Sequence, residues 1–310
     1  MAEQQHFYGG QAVLEGVMMR GRDHWAIAVR KPDQDLHIEG HDIDSIAKRF
    51  RIFRWPGLRG VIGLGQALSI GVKALTVSAN QSAEEEEKLS PRQMAFSMAV
   101  ALVIFIGVFV VFPAVVSNFA KKRVSSGILL NVGEGVFRVL LFLGYLWLIG
   151  RMKEIRRVFQ YHGAEHKTIA AYEHDAPLEP AAVDKFSTLH VRCGTNFLLI
   201  VMILTIFVFA LFGTPNLAWR IGSRLLAIPI IAGIAFELLR LGARYHRSLI
   251  MRAVMAPGLW LQKITTKPPS EDQIEVAIAS FNKVLDMERE SAAGDDAPSA
   301  APSPEPTGTS

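Results

Sequence analysis

Two histidines four residues apart with a glutamate between them, in the run His162-Gly163-Ala164-Glu165-His166, are the residues of this chain most able to do chemistry. On a helix the two imidazoles share a face one turn apart, and Glu165 lies close to that face. The order H-x-x-E-H is that of the inverted zinc peptidases, in which the imidazoles hold the metal and the carboxylate is the general base. The expected cofactor is a divalent metal, zinc first. A catalytic zinc needs a third protein ligand and keeps one position open. Three residues are candidates for that third place: Glu237, and the pair His190 and Cys193 in the run His190-Val-Arg-Cys-Gly-Thr195. Arg192 in the same run is placed to stabilise a developing oxyanion. Glu173 is on the histidine stripe but two turns on, about 10.5 Å along the axis, too far to share a metal without a bend.

Each of these residues has a plainer use. The histidines can hydrogen-bond to loops or lipid headgroups. Cys193 can be a small buried hydrophobe, and Glu237 can pair with Arg240 or Arg244 on its own helix.

The helix that presents the histidines is predicted from Glu154 to Glu173, with Ile155, Phe159, His162, His166, Ile169 and Glu173 on one stripe. It is expected to continue the preceding apolar helix out of the membrane. Gly163 costs about 1 kcal/mol in a helix relative to Ala, which suggests close approach of another backbone or of a substrate.

The rest of the chain must position this segment, and it reads as membrane protein. Half of the 310 residues are hydrophobic, mean hydropathy is +0.25, and the apolar residues fall into long runs almost without charge. The predicted class is a predominantly α-helical multi-pass membrane protein of about four transmembrane helices, with a small N-terminal β-rich cytoplasmic module. Strand patterns (Ala12-Val13-Leu14, Val17-Met18-Met19, Trp25 to Val29, Asp35 to Ile38) and the turn Lys31-Pro32-Asp33 place that module at residues 1–55, with Glu15 and Arg20 on it. Residues 56–92 read as a glycine-rich helix, interfacial or re-entrant in preference to spanning because Lys73 is costly at mid-bilayer, followed by an acidic linker. Residues 93–150 hold the first two spans, 151–194 the histidine helix and its loop, and 195–242 the third and fourth spans. Residues 243–290 form a C-terminal helical segment with Ile274, Ile278, Phe281 and Leu285 at helical spacing behind a Ser270 cap. Residues 291–310 have the composition of a disordered tail.

Lys and Arg concentrate between Arg151 and Arg192 and again beyond Gly242. This bias places the protein in the cell (inner or plasma) membrane with both termini and the central loop cytoplasmic, although Lys121-Lys122-Arg123 runs against it. A net charge of +4 gives no field suited to nucleic acid, and a single cysteine excludes an intrachain disulfide. The polar stretch Met1–Gly10 lacks the apolar core of a signal peptide. The expected partners are the lipid bilayer and a cytoplasmic protein.

Several runs together resemble one family. Tyr8-Gly-Gly-Gln-Ala-Val-Leu-Glu-Gly-Val-Met-Met-Arg20, Pro56-Gly-Leu-Arg-Gly60, Tyr161-His-Gly-Ala-Glu-His-Lys-Thr168, His190 to Thr195 and Leu261-Gln-Lys-Ile-Thr-Thr266 are similar to signatures of the bacterial YqhQ-like membrane proteins. That family is catalogued as a domain of unknown function and described as a predicted metal-dependent enzyme. Val191 departs from it, since proline is more usual there. The resemblance covers residues 7 to 290 and implies a multi-pass bacterial membrane protein; it supplies no substrate.

The residues point first to a membrane-embedded, cytoplasm-facing metal-dependent hydrolase. His162 and His166 would bind the metal, Glu165 would be the base, Glu237 or His190 would complete the site, and a peptide or amide bond would be the substrate by motif analogy. A non-enzymatic membrane scaffold or assembly factor is the second reading. An ion or metal transporter using Glu237 and the histidines is the third.

Overall fold

A computed structural model describes residues 8–44, 58–84, 88–190, 193–211, 216–245 and 248–295. Its strands are β1 (Gly9–Val13), β2 (Gly16–Arg20), β3 (His24–Arg30) and β4 (Leu36–Asp42). Its helices are α1 (Leu58–Gln81), α2 (Pro91–Ile106), α3 (Phe112–Ala120), α4 (Gly127–Ile149), α5 (Lys153–Glu173), α6 (Pro180–Val183), α7 (Gly194–Ala210), α8 (Leu217–Arg244), α9 (Leu249–Thr265) and α10 (Glu271–Asp295). The protein is thus mostly helical, with a small N-terminal sheet.

The strands pair antiparallel in sequence order, as short turns require. Val13 faces Gly16 across a two-residue hairpin, and Glu15 adopts a φ of 50° there. At the Lys31 turn, Gln34 adopts a φ of 71°, and the Asp33 carboxylate accepts from the Asp35 amide at 3.0 Å. Side chains alternate between the two faces of the sheet. Val17, Met19, Ala26 and Ala28 point to a core shared with Tyr161 and Ile169 of α5 and Ile274, Phe281 and Leu285 of α10. Met18, Trp25, Ile27 and Val29 point the other way, onto Ile70, Ala74 and Val77 of α1. The sheet is therefore covered on both sides. Helix α10 starts at Ser270, whose amide donates to the Gln273 side chain at 3.0 Å, half of a capping box. The helix runs through Asp295, five residues into the stretch expected to be tail.

Among the described residues, four helices are long and apolar enough to cross a membrane: Arg59–Gln81, Pro91–Ala120, Gly127–Ile149 and Leu217–Gly242. The number matches the expectation, but the membership does not. The run expected as the third span is α7, a shorter apolar helix of 17 residues. The glycine-rich segment expected to be interfacial is a 24-residue helix. Its two ends have different jobs. The C-terminal part covers the sheet, with Lys73 exposed beside Ile70 and Ala74. The N-terminal part crosses α8, where a Cβ at Gly60 would stand 2.8 Å from the Gly233 carbonyl. Between α2 and α3 the helix widens into a π turn, Gly107–Val111. Pro113 follows one residue later, and the wide turn accommodates its missing N–H and bulky ring.

One expectation fails informatively. The histidine helix does not continue α4. The chain breaks at Gly150 to Met152 and folds back, so that a Cβ at Gly150 would stand 3.2 Å from the Phe159 ring. The histidines are thereby carried to the ends of the apolar helices α7 and α9 rather than turns beyond them.

Candidate metal centre

Helix α5 is pinned on three sides. The Glu15 carboxylate at the β1–β2 hairpin accepts from Arg157 Nε at 2.6 Å and from Tyr161 Oη at 3.3 Å. The residues just past α9 close on its opposite side, where the Lys267 amide donates to the Phe159 carbonyl at 2.9 Å. The Lys267 carbonyl lies where a Cβ at Gly163 would be. The close approach expected at Gly163 is thus that of another backbone. Lys167 holds the loop before α7 through Asp184, with Nζ 2.9 Å from its carboxylate.

This frame orients both imidazoles the same way. His162 Nδ1 lies 2.9 Å from the Thr265 carbonyl, and His166 Nδ1 lies 2.5 Å from the Thr188 carbonyl. A carbonyl only accepts, so each Nδ1 carries the hydrogen and each neutral ring turns an Nε2 lone pair away from its anchor. Those lone pairs converge. The ring centroids are 4.4 Å apart, His162 Nε2 is 3.2 Å from Cys193 Sγ, and His166 Nε2 is buried with no hydrogen-bond partner among the described residues. Among the described residues, His162, His166 and Cys193 form a group whose potential ligand atoms all lie within 4.8 Å of one another. Carbonyl-anchored imidazoles presenting the other nitrogen are the usual second-shell arrangement of a histidine metal ligand. Zn–N of about 2.0–2.1 Å and Zn–S of about 2.3 Å imply ligand separations near 3.5 Å in a tetrahedron, close to the His162–Cys193 spacing.

Cys193 caps α7, its sulfur accepting from the Thr195 amide at 3.4 Å. Burial raises its thiol pKa, partly offset by the hydrogen bonds from Thr195, so the metal-free protein keeps a thiol. A coordinated cation would deprotonate it. Burial holds His166 neutral, well below the usual imidazole range. Glu165 is buried, and desolvation raises its carboxyl to about 8, with the nearby Cys193 adding to the rise; His162 and the Gly10 amide oppose it. Gly10 of β1 lies directly on this side chain: a Cβ there would stand 2.9 Å from the Glu165 carboxyl carbon. A buried acid with a pKa near 8 beside two imidazoles and a thiol is a group poised for proton transfer near neutral pH.

The other candidates are placed differently. His190 is not in the group. Its Nε2 bonds Glu173 at 3.3 Å, and burial lowers its pKa to about 4, with His174 adding to the effect. Its ring stands 5.7 Å from that of His166, as a neighbour that supports the site. Glu237 is also outside the group; it takes a bidentate bond from Arg59 at 2.6 Å on each arm, at the α1–α8 crossing. This bidentate partner lies on a different helix from Arg240 and Arg244. Arg192 lies outside the described residues.

Sequence reasoning missed Gln262. It is fully buried, accepts from the His190 amide at 2.8 Å, and donates to the His190 carbonyl at 2.8 Å and the Asn196 side chain at 3.0 Å. It clamps the loop that delivers Cys193. An amide inside the apolar run Trp-Leu-Gln-Lys-Ile was the available signal, as was Asn196 at the start of α7.

The fold and site define a class: a helical protein with membrane-spanning-type helices, a sheet-bearing module, and a His–His–Cys cluster at the seam between them. The chain belongs to the family described as "Protein of unknown function (DUF1385)", which matches residues 55–287. It is 36% identical over 295 residues to "Uncharacterized protein YqhQ" of Bacillus subtilis (strain 168), an alignment covering 91% of this chain and 93% of that protein. The resemblance drawn from the motifs is therefore to the right family. No solved structure matches the chain.

Proposed function

We propose that this protein is a membrane-embedded, cytoplasm-facing metallohydrolase whose centre is held by His162, His166 and Cys193. The observation that carries this reading is the shared orientation of the two rings. Both Nδ1–H groups are spent on backbone carbonyls, and both Nε2 lone pairs face the thiol, one of them buried with no partner among the described residues. Leaving such a nitrogen unsatisfied costs about 1–3 kcal/mol, and a cation removes that cost. A mixed imidazole–thiolate set suits zinc among common divalent metals. When bound, the metal supplies Lewis acidity toward a water and an acyl oxygen.

The protein's own residues supply the rest. Glu165 takes a proton from the attacking water and returns it to the leaving group. The Gly10 amide holds the Glu165 carboxylate, which restricts it to one position. Amide or peptide bonds are the substrate class suggested by the H-x-x-E-H order.

Metal analysis of the purified full-length protein tests this. Wild type should carry close to one zinc per chain. His162→Ala/His166→Ala and Cys193→Ser should each lose most of it, whereas Glu165→Gln should keep it and lose activity. A second reading rests on the 3.2 Å contact between His162 Nε2 and Cys193 Sγ, which also suits a metal-free thiol–imidazole pair. Wild type free of metal, with Cys193 alkylated far faster than a buried thiol and protected by His162→Ala, would favour that pair.

A further inference from the structure

A cavity of about 460 Å³ runs between α4, α7 and α9. It is walled by Val139 and Leu143 of α4, Leu199 and Ile203 of α7, and Pro257 and Ile264 of α9. Its size falls inside the range of small-molecule sites, about 300–1,000 Å³, but its lining is made of apolar side chains alone. Water gains nothing there. Around it the helix surfaces are also apolar, with Leu140, Leu198 and Trp260 exposed. In a bilayer this groove opens to hydrocarbon.

Lining residues on α7 and α9 lie within two turns, along their own helices, of residues that build the metal centre. Ile264 precedes Thr265, whose carbonyl anchors His162, and Leu261 in the lining precedes Gln262, the clamp on His190. Leu199 follows Cys193 by six residues on α7, about 9 Å along the axis. The interface level is marked independently. The Arg151 guanidinium stacks 3.6 Å over the Trp147 ring at the end of α4, the kind of aromatic–basic pair that settles at headgroup depth. The chain turns back directly after it into the histidine helix. A molecule with an alkyl chain in the groove therefore places the bond next to its polar head at the His–His–Cys cluster.

We propose that the substrate is an amphiphile, a long-chain acyl amide or ester whose chain lies in the α4–α7–α9 groove while its carbonyl reaches the cluster. This deepens the hydrolase reading and rests on it. A water-soluble peptide would leave the groove without a role; an acyl chain gives both the groove and the interfacial depth of the centre a single use. The reaction would add water across the acyl bond, releasing a fatty acid and the amine or alcohol of the head.

Full-length protein in phosphatidylcholine vesicles would be photolabelled with N-palmitoylglycine carrying a diazirine in its chain, and the adducts mapped by peptide mass spectrometry. Adducts should concentrate in residues 136–143, 199–206 and 257–264, and unlabelled N-palmitoylglycine, but not N-acetylglycine, should displace them. Ile203→Trp, and independently Val139→Trp from the opposite wall, should weaken displaceable labelling about tenfold, the loss of roughly two buried methylenes. Leu198→Trp on the outer face should leave it unchanged. Adducts spread evenly over the exposed apolar helices and not displaced by excess ligand would overturn the inference. Zinc measured on the same samples separates the two claims. Displaceable groove labelling in metal-free wild type leaves the groove standing and fells the metal reading. Full zinc with undisplaced labelling does the reverse.

Discussion

The sheet module and the apolar helices differ in what they turn outward. In the module, Phe281, Tyr161 and Ile274 are fully enclosed between the sheet, α5 and α10. In the helical part many large apolar side chains face outward: Phe96 and Phe119 are 72% exposed and Leu226 79%. There buried apolar residues such as Phe109, Phe209 and Ala235 share the interior with polar ones: Glu134 takes bonds from Arg138 at 3.0 Å and Arg224 at 2.8 Å, and Ser117 and Asn131 are also buried. The first pattern is that of a protein folded by water. The second is that of one whose outer surface is matched to hydrocarbon, where association rests on packing and interior hydrogen bonds. The His–His–Cys cluster sits where the two meet. It takes its histidines from the water-folded part, and its thiol and one anchoring carbonyl from the ends of α7 and α9.

The sharpest way to break this comparison is to make the same change in both regions. Phe281→Ala should destabilise the module by about 3–5 kcal/mol, while Phe96→Ala should shift stability by less than about 0.5 kcal/mol, both read by thermal unfolding in detergent or nanodiscs. Equal losses would mean that the outward face of α2 is packed against something. Next in size, Glu134→Ala should cost about 3–5 kcal/mol by leaving two buried guanidiniums without their carboxylate. A neutral result would show that Arg138 and Arg224 find water, and that the bundle interior is wetter than its packing implies.

The seam itself is tested by Gly163→Ala. The new methyl meets the Lys267 carbonyl, so the stretch that anchors His162 must move. A loss of about 1–3 kcal/mol is expected, together with most of the bound metal. Metal retained at wild-type level would detach the anchor from the centre.

The smallest effect expected is on pH dependence. With no metal bound, burial raises Glu165 to about 8 and also raises the Cys193 thiol. Metal uptake must displace the thiol proton and favours loss of the carboxyl proton, so apparent affinity should climb as pH rises through 8. Glu165→Gln should make that climb shallower by about one proton, measured by competition with a chromophoric chelator. In the metal-free protein the sign for stability is the opposite. The native state binds the Glu165 proton more tightly than the unfolded chain, so this contribution is full below the ordinary carboxyl pKa near 4.5 and is lost as pH rises through 8. His166, held well below 6.5, contributes stability that is full above 6.5 and is lost as pH falls.

Much of this was open to reading in one dimension. The four strands follow from alternation and turn residues, α10 from its four apolar positions behind Ser270, and the histidine pair from helical spacing. Each of these is local, set within a turn or a hairpin. The helix lengths were less legible. Segment 58–81 is glycine-rich and carries Arg59 and Lys73, while α7 is far more apolar but shorter, and the C-terminal part of α1 covers the sheet through Ile70, Ala74 and Val77, a contact between residues far apart in the chain.

The amino-acid sequence alone determined that imidazoles at 162 and 166 share a face with an acid beside them, because helix geometry is periodic and needs no partner. Only the tertiary structure decided which distant side chain joins them. Glu237, His190 and Cys193 were all candidates by position, with Glu237 or His190 preferred by residue type. Arg59 occupies the first, Glu173 the second, and the capped start of α7 delivers the third to His162. That choice depends on how three helix ends and a hairpin pack around α5, and such long-range packing leaves no periodic trace along the chain.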